Sequence, residues 1–155
     1  MTDNRPISPD EYAIITEHVP IVSVDLLINH EGGILLGKRC NEPAKGEWFV
    51  PGGTVLKGES RRQALHRVAR EELSCDVTID EKLGVYDHFY DAAEMDGVDS
   101  KQYLATAYLV TPRKRSFQPD DQHADFQTFH EPFKDLHQYV ARYINDLKSH
   151  GYCYE

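Results

Sequence analysis

The stretch GGTVLKGESRRQALHRVAREELSC, residues 52–75, decides the fold of this chain. Glycines open it, and no proline or glycine occurs between residues 59 and 73. In that second part the apolar residues recur three and four positions apart, as on one face of a helix. Five residues stand at fixed intervals through the stretch: Gly53, Glu59, Arg67, Glu71 and Glu72. The pattern predicts a glycine-rich loop followed by a single helix that carries several charged residues.

The position of Glu72 on this helix is unusual for a charged residue. It falls on the apolar face, beside Val68, where an unpaired carboxylate is costly to bury. Glu72 therefore either pairs with a basic residue beneath the helix or binds a metal ion. Arg67 and Glu71 lie four residues apart on another face, and an ordinary surface ion pair accounts for both.

The segments on both sides of this stretch carry helix and strand patterns. Ser8-Pro9-Asp10-Glu11 is a capping sequence, which predicts a short helix through about His18 within an N-terminal arm of residues 1–19. Apolar runs predict strands at 20–29, 34–36, 47–50, 77–79, 83–90, 103–110 and 126–129. Between them, the acidic stretch 91–100 predicts a mobile loop. A stripe at i, i+3, i+4 and i+7 predicts a C-terminal helix over 133–149, so we expect an α/β domain.

Length and charge limit the classes of function. The 155 residues fit one domain, 1–155. The net charge of −9 repels nucleic-acid phosphates and anionic lipids, so neither nucleic acid nor membrane is an expected partner. No signal-peptide pattern or membrane-spanning apolar run is present, which predicts a cytoplasmic protein. Cys40, Cys75 and Cys153 form neither a paired framework nor a CxxC motif and are expected to be reduced thiols.

The five spaced residues, preceded by WFVPGG at 48–53, resemble the Nudix box. The resemblance implies the Nudix fold, a mixed β-sheet sandwiched between the helix of the box (the loop-helix-loop of residues 52–75) and a C-terminal helix. Val68 stands where the box has a metal-binding glutamate, and Ser74-Cys75 replace its closing glycine and aliphatic residue. A site with one carboxylate fewer holds fewer divalent cations, which weakens attack on phosphorus assisted by clustered Mg²⁺.

The GDP-mannose mannosyl hydrolases depart from the box in the same way, and the chain resembles this subfamily over roughly residues 20–129. The matching segments are LLGKR (35–39), GEWFVPGG (46–53), DHFYD (87–91) and PDDQHADF (119–126). In that subfamily water attacks the anomeric carbon of the sugar with inversion and releases GDP. The resemblance implies Mg²⁺-dependent hydrolysis of a nucleotide sugar, GDP-mannose or a relative, with Mn²⁺ as the other candidate ion. It also implies a homodimer, in which the N-terminal segment is a candidate to cross to the partner.

Carried over residue by residue, the resemblance places one Mg²⁺ on three oxygen donors. These are the main-chain oxygen of Gly52, the carboxylate of Glu72 and the side-chain oxygen of Gln122, with Glu71 as a further candidate ligand. Hard oxygen donors of this kind are those that Mg²⁺ prefers. His123 becomes the general base, a task that suits an imidazole because its ordinary pKa lies near neutral pH.

The same resemblance assigns substrate contacts. Arg39 contacts the phosphates of the nucleotide, where a guanidinium binds bidentately. Arg67 either braces the metal-binding glutamate or contacts the diphosphate, and Arg39 and Arg67 both join His123 as catalytic candidates. Asp25 and His88 face the sugar, and Tyr103 donates its hydroxyl to a phosphate. From the residues alone, each of these side chains also fits an ordinary surface or core position.

Thr54 departs from the subfamily, which has an arginine there that neutralises the departing diphosphate. Its absence removes a charge-assisted contact worth about 1.5–3 kcal/mol. A diphosphatase that attacks phosphorus, with Glu71 and Glu72 holding metal, is therefore the alternative function. A catalytically silent nucleotide-sugar-binding domain is the third.

Overall fold

The structure, a computed structural model, describes residues 7–113 and 126–151. This part of the chain forms three helices and seven strands. In chain order they are α1 (Pro9–His18), β1 (Ile21–His30), β2 (Gly33–Lys38), β3 (Trp48–Phe49), β4 (Gly52–Thr54), α2 (Arg61–Leu73), β5 (Val77–Tyr90), β6 (Lys101–Pro112), β7 (Phe126–Phe129) and α3 (Gln138–Ser149).

The strands form one mixed sheet in the order β3-β2-β1-β6-β5. β1 and β6 run parallel, with Asp25 opposite Ala107, and the other pairs are antiparallel. β4 pairs with the first half of β1, where Asp25 lies opposite Gly52, and β7 pairs with β2. This pairing places Gly52 and Gly53 directly beside the central strand.

Two apolar clusters cover the two faces of the sheet. On one face Val24 and Leu26 of β1 pack with Leu65 and Val68 of α2. On the other face Leu27 packs with the apolar side of α3. Because both faces of β1 are covered, its apolar run is nearly continuous rather than alternating. The expected α/β architecture, a mixed sheet between the two helices, is confirmed.

Capping residues fix where α1 and α2 begin, and the cap of α1 is the one predicted from the sequence. Ser8 accepts a hydrogen bond from the backbone of Glu11, whose side chain accepts one from the backbone of Ser8. Ser60 and Gln63 form the same reciprocal pair at the start of α2. Each pair satisfies two backbone N–H groups that a helix terminus otherwise leaves without partners.

Several element boundaries differ from the predictions, and part of the glycine-rich stretch expected to be a loop forms the short strand β4. The strands expected at 77–79 and 83–90 are one strand, β5, whose pairing with β6 is irregular between residues 79 and 84. β6 begins at Lys101 rather than at residue 103. The C-terminal helix begins at Gln138 and not at 133, because Asp135 has a positive φ of 57° and His137 caps the helix. Phe133 and Leu136 still pack against the α3-side cluster from the irregular segment.

None of the described helices is suited to cross a membrane. They contain 10, 13 and 12 residues, whereas a span needs about 20 apolar ones.

Candidate active site

Two cavities adjoin where β1, β4 and residues 39–53 meet. The first, the Asp25 cavity, has a volume of about 220 Å³ and is lined by Asp25, His88 and Tyr103 among others. The second, the Glu72 cavity, has a volume of about 310 Å³ and contains Glu72 in its wall. Four residues line both cavities: Arg39, Phe49, Val50 and Gly52.

Asp25 is held at the wall of the first cavity by contacts from two sides. It is 8% exposed, and the Tyr143 hydroxyl of α3 donates to its Oδ2 at 2.6 Å. Burial raises the pKa of Asp25 to about 6, although the hydrogen bond from Tyr143 and the charge of Arg39 lower it. A side chain at position 52 would collide with the Asp25 carboxylate and with the carbonyl of Val24, so this position requires a glycine.

His88 lies in the same cavity and is 3% exposed. Its ring stacks on Tyr139, with 4.0 Å between centroids and 7° between planes. Burial, together with nearby His137, lowers the pKa of His88 to about 4. At neutral pH the imidazole is therefore uncharged, with one nitrogen able to donate a hydrogen bond and the other to accept one.

Arg39 follows β2 and spans the junction of the two cavities. Its Nε donates to the carbonyl of Pro43 at 2.6 Å, which fixes the side chain against the loop that follows β2. The positive charge acts on Asp25 and Tyr103 in the first cavity, while the residue also lines the second. A group bound across the junction would contact this guanidinium from either side.

Glu72 points toward the second cavity from the half-buried face of α2. Among the described residues that line the Glu72 cavity it is the one with an acidic side chain, and Lys38 and Arg39 are its cations. Gly52 lies in the same wall. A carboxylate and a main-chain carbonyl are hard oxygen donors, so the donor set fits Mg²⁺ or Mn²⁺.

Arg67 and Glu71 lie outside both cavities. The Arg67 guanidinium donates to Glu59 at 2.8 and 3.0 Å, to the carbonyl of Thr54 at 2.7 Å, and to Glu71 at 3.1 and 3.2 Å. The Glu59 side chain is only 4% exposed, whereas that of Glu71 is 60% exposed. These contacts fasten the loop after β4 to α2.

The structure thus brings six of the predicted residues to the two cavities. They are Asp25, Arg39, Gly52, Glu72, His88 and Tyr103. Gln122 and His123 lie outside the described residues. Within the described ranges, no cluster of three or more His, Cys, Asp or Glu side chains is arranged to hold a metal ion.

The further residues of the Asp25 cavity that were not predicted as site residues include Tyr12, Ser23, Glu94 and Lys101. Ser23 is 3% exposed, and its hydroxyl has no hydrogen-bond partner among the described residues. The parity that Ser23 shares with Asp25 on β1 was a usable signal. Lys101 shares a face of β6 with Tyr103 in the same way, but the strand was predicted to begin two residues later.

Comparison with known proteins agrees with this architecture. The sequence pattern of the NUDIX domain matches residues 18–148. The chain is 55% identical over 141 residues to Agl8 of Haloferax volcanii, named a low-salt glycan biosynthesis protein, covering 91% of this chain and 90% of that protein. It is 42% identical over 67 residues to an ADP-ribose pyrophosphatase of Methanocaldococcus jannaschii, covering 43% of this chain and 40% of that protein.

A solved structure shares the fold. The NUDIX hydrolase from Nitrosomonas europaea superimposes with a TM-score of 0.63 at 19% identity, covering 85% of this chain and 90% of that one. The domain pattern covers most of the chain, and the box helix carries Glu72 into a cavity beside the central strand. On this evidence the chain belongs to the Nudix hydrolase family.

Proposed function

We propose that this protein is a Mg²⁺-dependent hydrolase of a nucleotide sugar, GDP-mannose or a relative, in which water attacks C1 of the sugar. The products are a nucleoside diphosphate and a free sugar. The observation that carries the proposal is the junction of two unlike cavities at Arg39 and Gly52. One has hydrogen-bonding walls suited to a sugar, and the other has cations and one carboxylate, suited to a chelated diphosphate.

The Asp25 cavity offers the groups that sugar hydroxyls require. Asp25 accepts hydrogen bonds, neutral His88 both donates and accepts, and Tyr103 carries a half-buried hydroxyl. Ser23 adds a buried hydroxyl that has no partner among the described residues. A buried polar group without a partner is costly, and a bound sugar hydroxyl would satisfy it.

The Glu72 cavity offers the groups that a diphosphate requires. Lys38 and Arg39 supply positive charge in a chain whose net charge is −9. The carbonyl of Gly52 and the carboxylate of Glu72 would hold Mg²⁺, with Gln122 as the third protein ligand and Mn²⁺ as the other candidate ion. When bound, the cation neutralises the diphosphate and so makes it a better leaving group. Because such a leaving group needs no general acid, the chain has to supply only a base, the role proposed for His123.

Attack at carbon is favoured over attack at phosphorus by the number of acidic side chains in this cavity. Clustered divalent cations need several carboxylates, and the described wall of the Glu72 cavity has one. Val68, at the position of a box glutamate, is 1% exposed in the core. Glu71 is exposed, is engaged by Arg67 and lines neither cavity.

The relative from Haloferax volcanii supports an activated sugar as the substrate. Its name places it in glycan biosynthesis, and it matches nine-tenths of this chain. Glycans are assembled from activated sugars, of which nucleotide sugars are a major class. We also propose that the protein acts in the cytoplasm and, by the family resemblance, assembles as a homodimer.

Product analysis with a panel of GDP-, ADP- and UDP-sugars tests the proposal. With Mg²⁺ present, the expected products are nucleoside diphosphate and free sugar. Nucleoside monophosphate with sugar 1-phosphate would instead establish the diphosphatase alternative, and saturable binding without turnover would establish a binding domain.

Two matched variants sharpen this assay. Glu72→Gln is expected to lower kcat/KM at least about 100-fold, because it removes a proposed metal ligand. Glu71→Gln is expected to cost less than about tenfold, since it removes an exposed ion pair. A larger loss for Glu71→Gln than for Glu72→Gln would contradict the assignment of the metal site.

A further inference from the structure

An ion pair between Glu94 and Lys101 forms part of the wall of the Asp25 cavity. The Lys101 ammonium, on the first residue of β6, donates to both carboxylate oxygens of Glu94 at 2.9 and 2.8 Å. The Lys101 side chain is 1% exposed, and that of Glu94, in the 91–100 loop, is 33% exposed. Both residues line the cavity, so a ligand there meets this pair directly.

Two aromatic rings make cation–π contacts with the Lys101 ammonium. Its Nζ lies 4.8 Å from the ring centroid of Tyr12 of α1 and 4.9 Å from that of Tyr103. Burial opposes the charge of the ammonium, but Tyr103 and the hydrogen bond with Glu94 outweigh it and raise the pKa of Lys101 to about 12. The lysine is therefore a fixed, permanent cation whose charge is balanced by Glu94.

This balance determines what the cavity favours in a ligand. Glu94 and Lys101 together contribute no net charge, and Asp25 adds a carboxylate in the same cavity. Arg39, the other cation of the described wall, lies at the junction with the Glu72 cavity, where the proposed function assigns it to the phosphates. A carboxylate on the ligand would therefore meet like charges, and Lys101 would already be occupied. Uncharged hydroxyl groups meet no such repulsion, because Glu94 and Asp25 both accept hydrogen bonds.

We propose that Glu94 and Lys101 make the Asp25 cavity selective for an uncharged hexose over the corresponding hexuronate. This inference rests on the proposed function, which puts the sugar of a nucleotide sugar in that cavity. Glu94 is the specificity-determining residue, because it cancels the charge of Lys101, whereas Arg39, the other cation of the described cavity wall, is assigned to the phosphates in the proposed function.

Two matched substrate pairs test the selectivity: GDP-mannose with GDP-mannuronate, and UDP-glucose with UDP-glucuronate. Calorimetric Kd values and kcat/KM are both measured for each pair. The ratio compared between variants is the preference for the hexose, that is, the association constant or kcat/KM of the hexose divided by that of the hexuronate, taken for the better-bound pair. Wild type should favour the hexose at least about fivefold. In Glu94→Gln, which frees the charge of Lys101, the ratio should fall at least about tenfold, equivalent to 1.4 kcal/mol.

Two further variants serve as controls. Glu94→Asp keeps the negative charge and should keep the wild-type ratio within about threefold. Glu131→Gln makes the same charge change in the exposed Glu131–Lys148 pair, which lies outside both cavities, and should also leave the ratio unchanged. These controls separate a local effect at the cavity from a general effect of net charge.

The measurements distinguish failure of the sugar selectivity from failure of the proposed hydrolase function. A wild-type preference for the hexuronate, or a ratio in Glu94→Gln that matches wild type, would overturn the selectivity. If wild type binds the sugars without hydrolysing them, the proposed function is wrong, and the Kd ratios still decide the selectivity. If it neither binds nor hydrolyses any of the four, both proposals are overturned.

Discussion

At the residue scale, burial acts on two titratable groups that line the Asp25 cavity, Asp25 and His88. It raises the pKa of Asp25 to about 6 and lowers that of His88 to about 4, so each group is held closer to its uncharged form. The fold keeps both because Tyr143 donates to Asp25 and Tyr139 stacks on His88. Burying these two polar side chains lowers the folding stability, and it gives the cavity a polar wall.

The pKa of His88 gives a stability prediction with a definite sign. The unfolded chain binds a proton at this imidazole near its ordinary pKa of 6.5, whereas the folded protein does so only near 4. The stability is therefore fully present above about pH 6.5 and is lost as the pH falls toward 4. Between pH 7.5 and 4.5 wild type should lose about 2–3 kcal/mol more than His88→Gln, measured by urea unfolding. Equal losses in the two proteins would contradict the burial of a neutral His88.

At the element scale, the packing of β4 against α2 explains the glycine that opens the box. A Cβ atom on Gly53 would lie 2.7 Å from a methyl group of Val68, which is 1% exposed. Gly53 does not have a positive φ, so the backbone conformation does not require a glycine here. The position requires one because there is no space for a side chain. Arg67 then ties the following loop to the same helix through Thr54 and Glu59.

This contact predicts a specific coupling. Gly53→Ala should lower the free energy of unfolding by about 1–3 kcal/mol, because the β-branched Val68 side chain has little room to move. The double variant Gly53→Ala with Val68→Ala should be at least about 1 kcal/mol more stable than the sum of the two single losses in unfolding free energy predicts. Denaturant unfolding of the four proteins in this cycle measures the coupling, and additivity within about 0.5 kcal/mol would contradict it.

The elements also show what the sequence could and could not predict. Ser8 predicted the start of α1 well, because a cap depends on residues within one turn. The apolar stripe from residue 133 predicted which side chains reach the core, but not that the backbone stays irregular until Gln138. Apolar spacing reports burial, and an extended or irregular segment can bury residues equally well.

At the scale of the whole molecule, the candidate site is assembled from segments far apart in the sequence. Asp25 comes from β1, Glu72 from α2 and His88 from β5, and the pairing of β1 with β4 and β6 brings them together. The resemblance to a family could nominate these residues, whereas spacing alone could not. Glu94 and Lys101 escaped prediction because their pairing depends on how the 91–100 loop returns to the sheet.

The net charge of −9 is not evenly distributed over the structure, so it disfavours some anionic ligands and not others. Lys38, Arg39 and Lys101 concentrate positive charge at the two cavities, while Glu94 neutralises the last of them. A long polyanion would still meet repulsion from the rest of the surface. A single chelated diphosphate would meet mainly the local cations, which agrees with a small nucleotide derivative as the ligand.

In the proposed reaction water attacks carbon and not phosphorus, and hydrolysis in ¹⁸O-labelled water distinguishes the two. The substrate is the nucleotide sugar that the product assay identifies, and mass spectrometry locates the label. The expected result is label in the free sugar and an unlabelled nucleoside diphosphate. Label in a nucleoside monophosphate or in a sugar phosphate would contradict it.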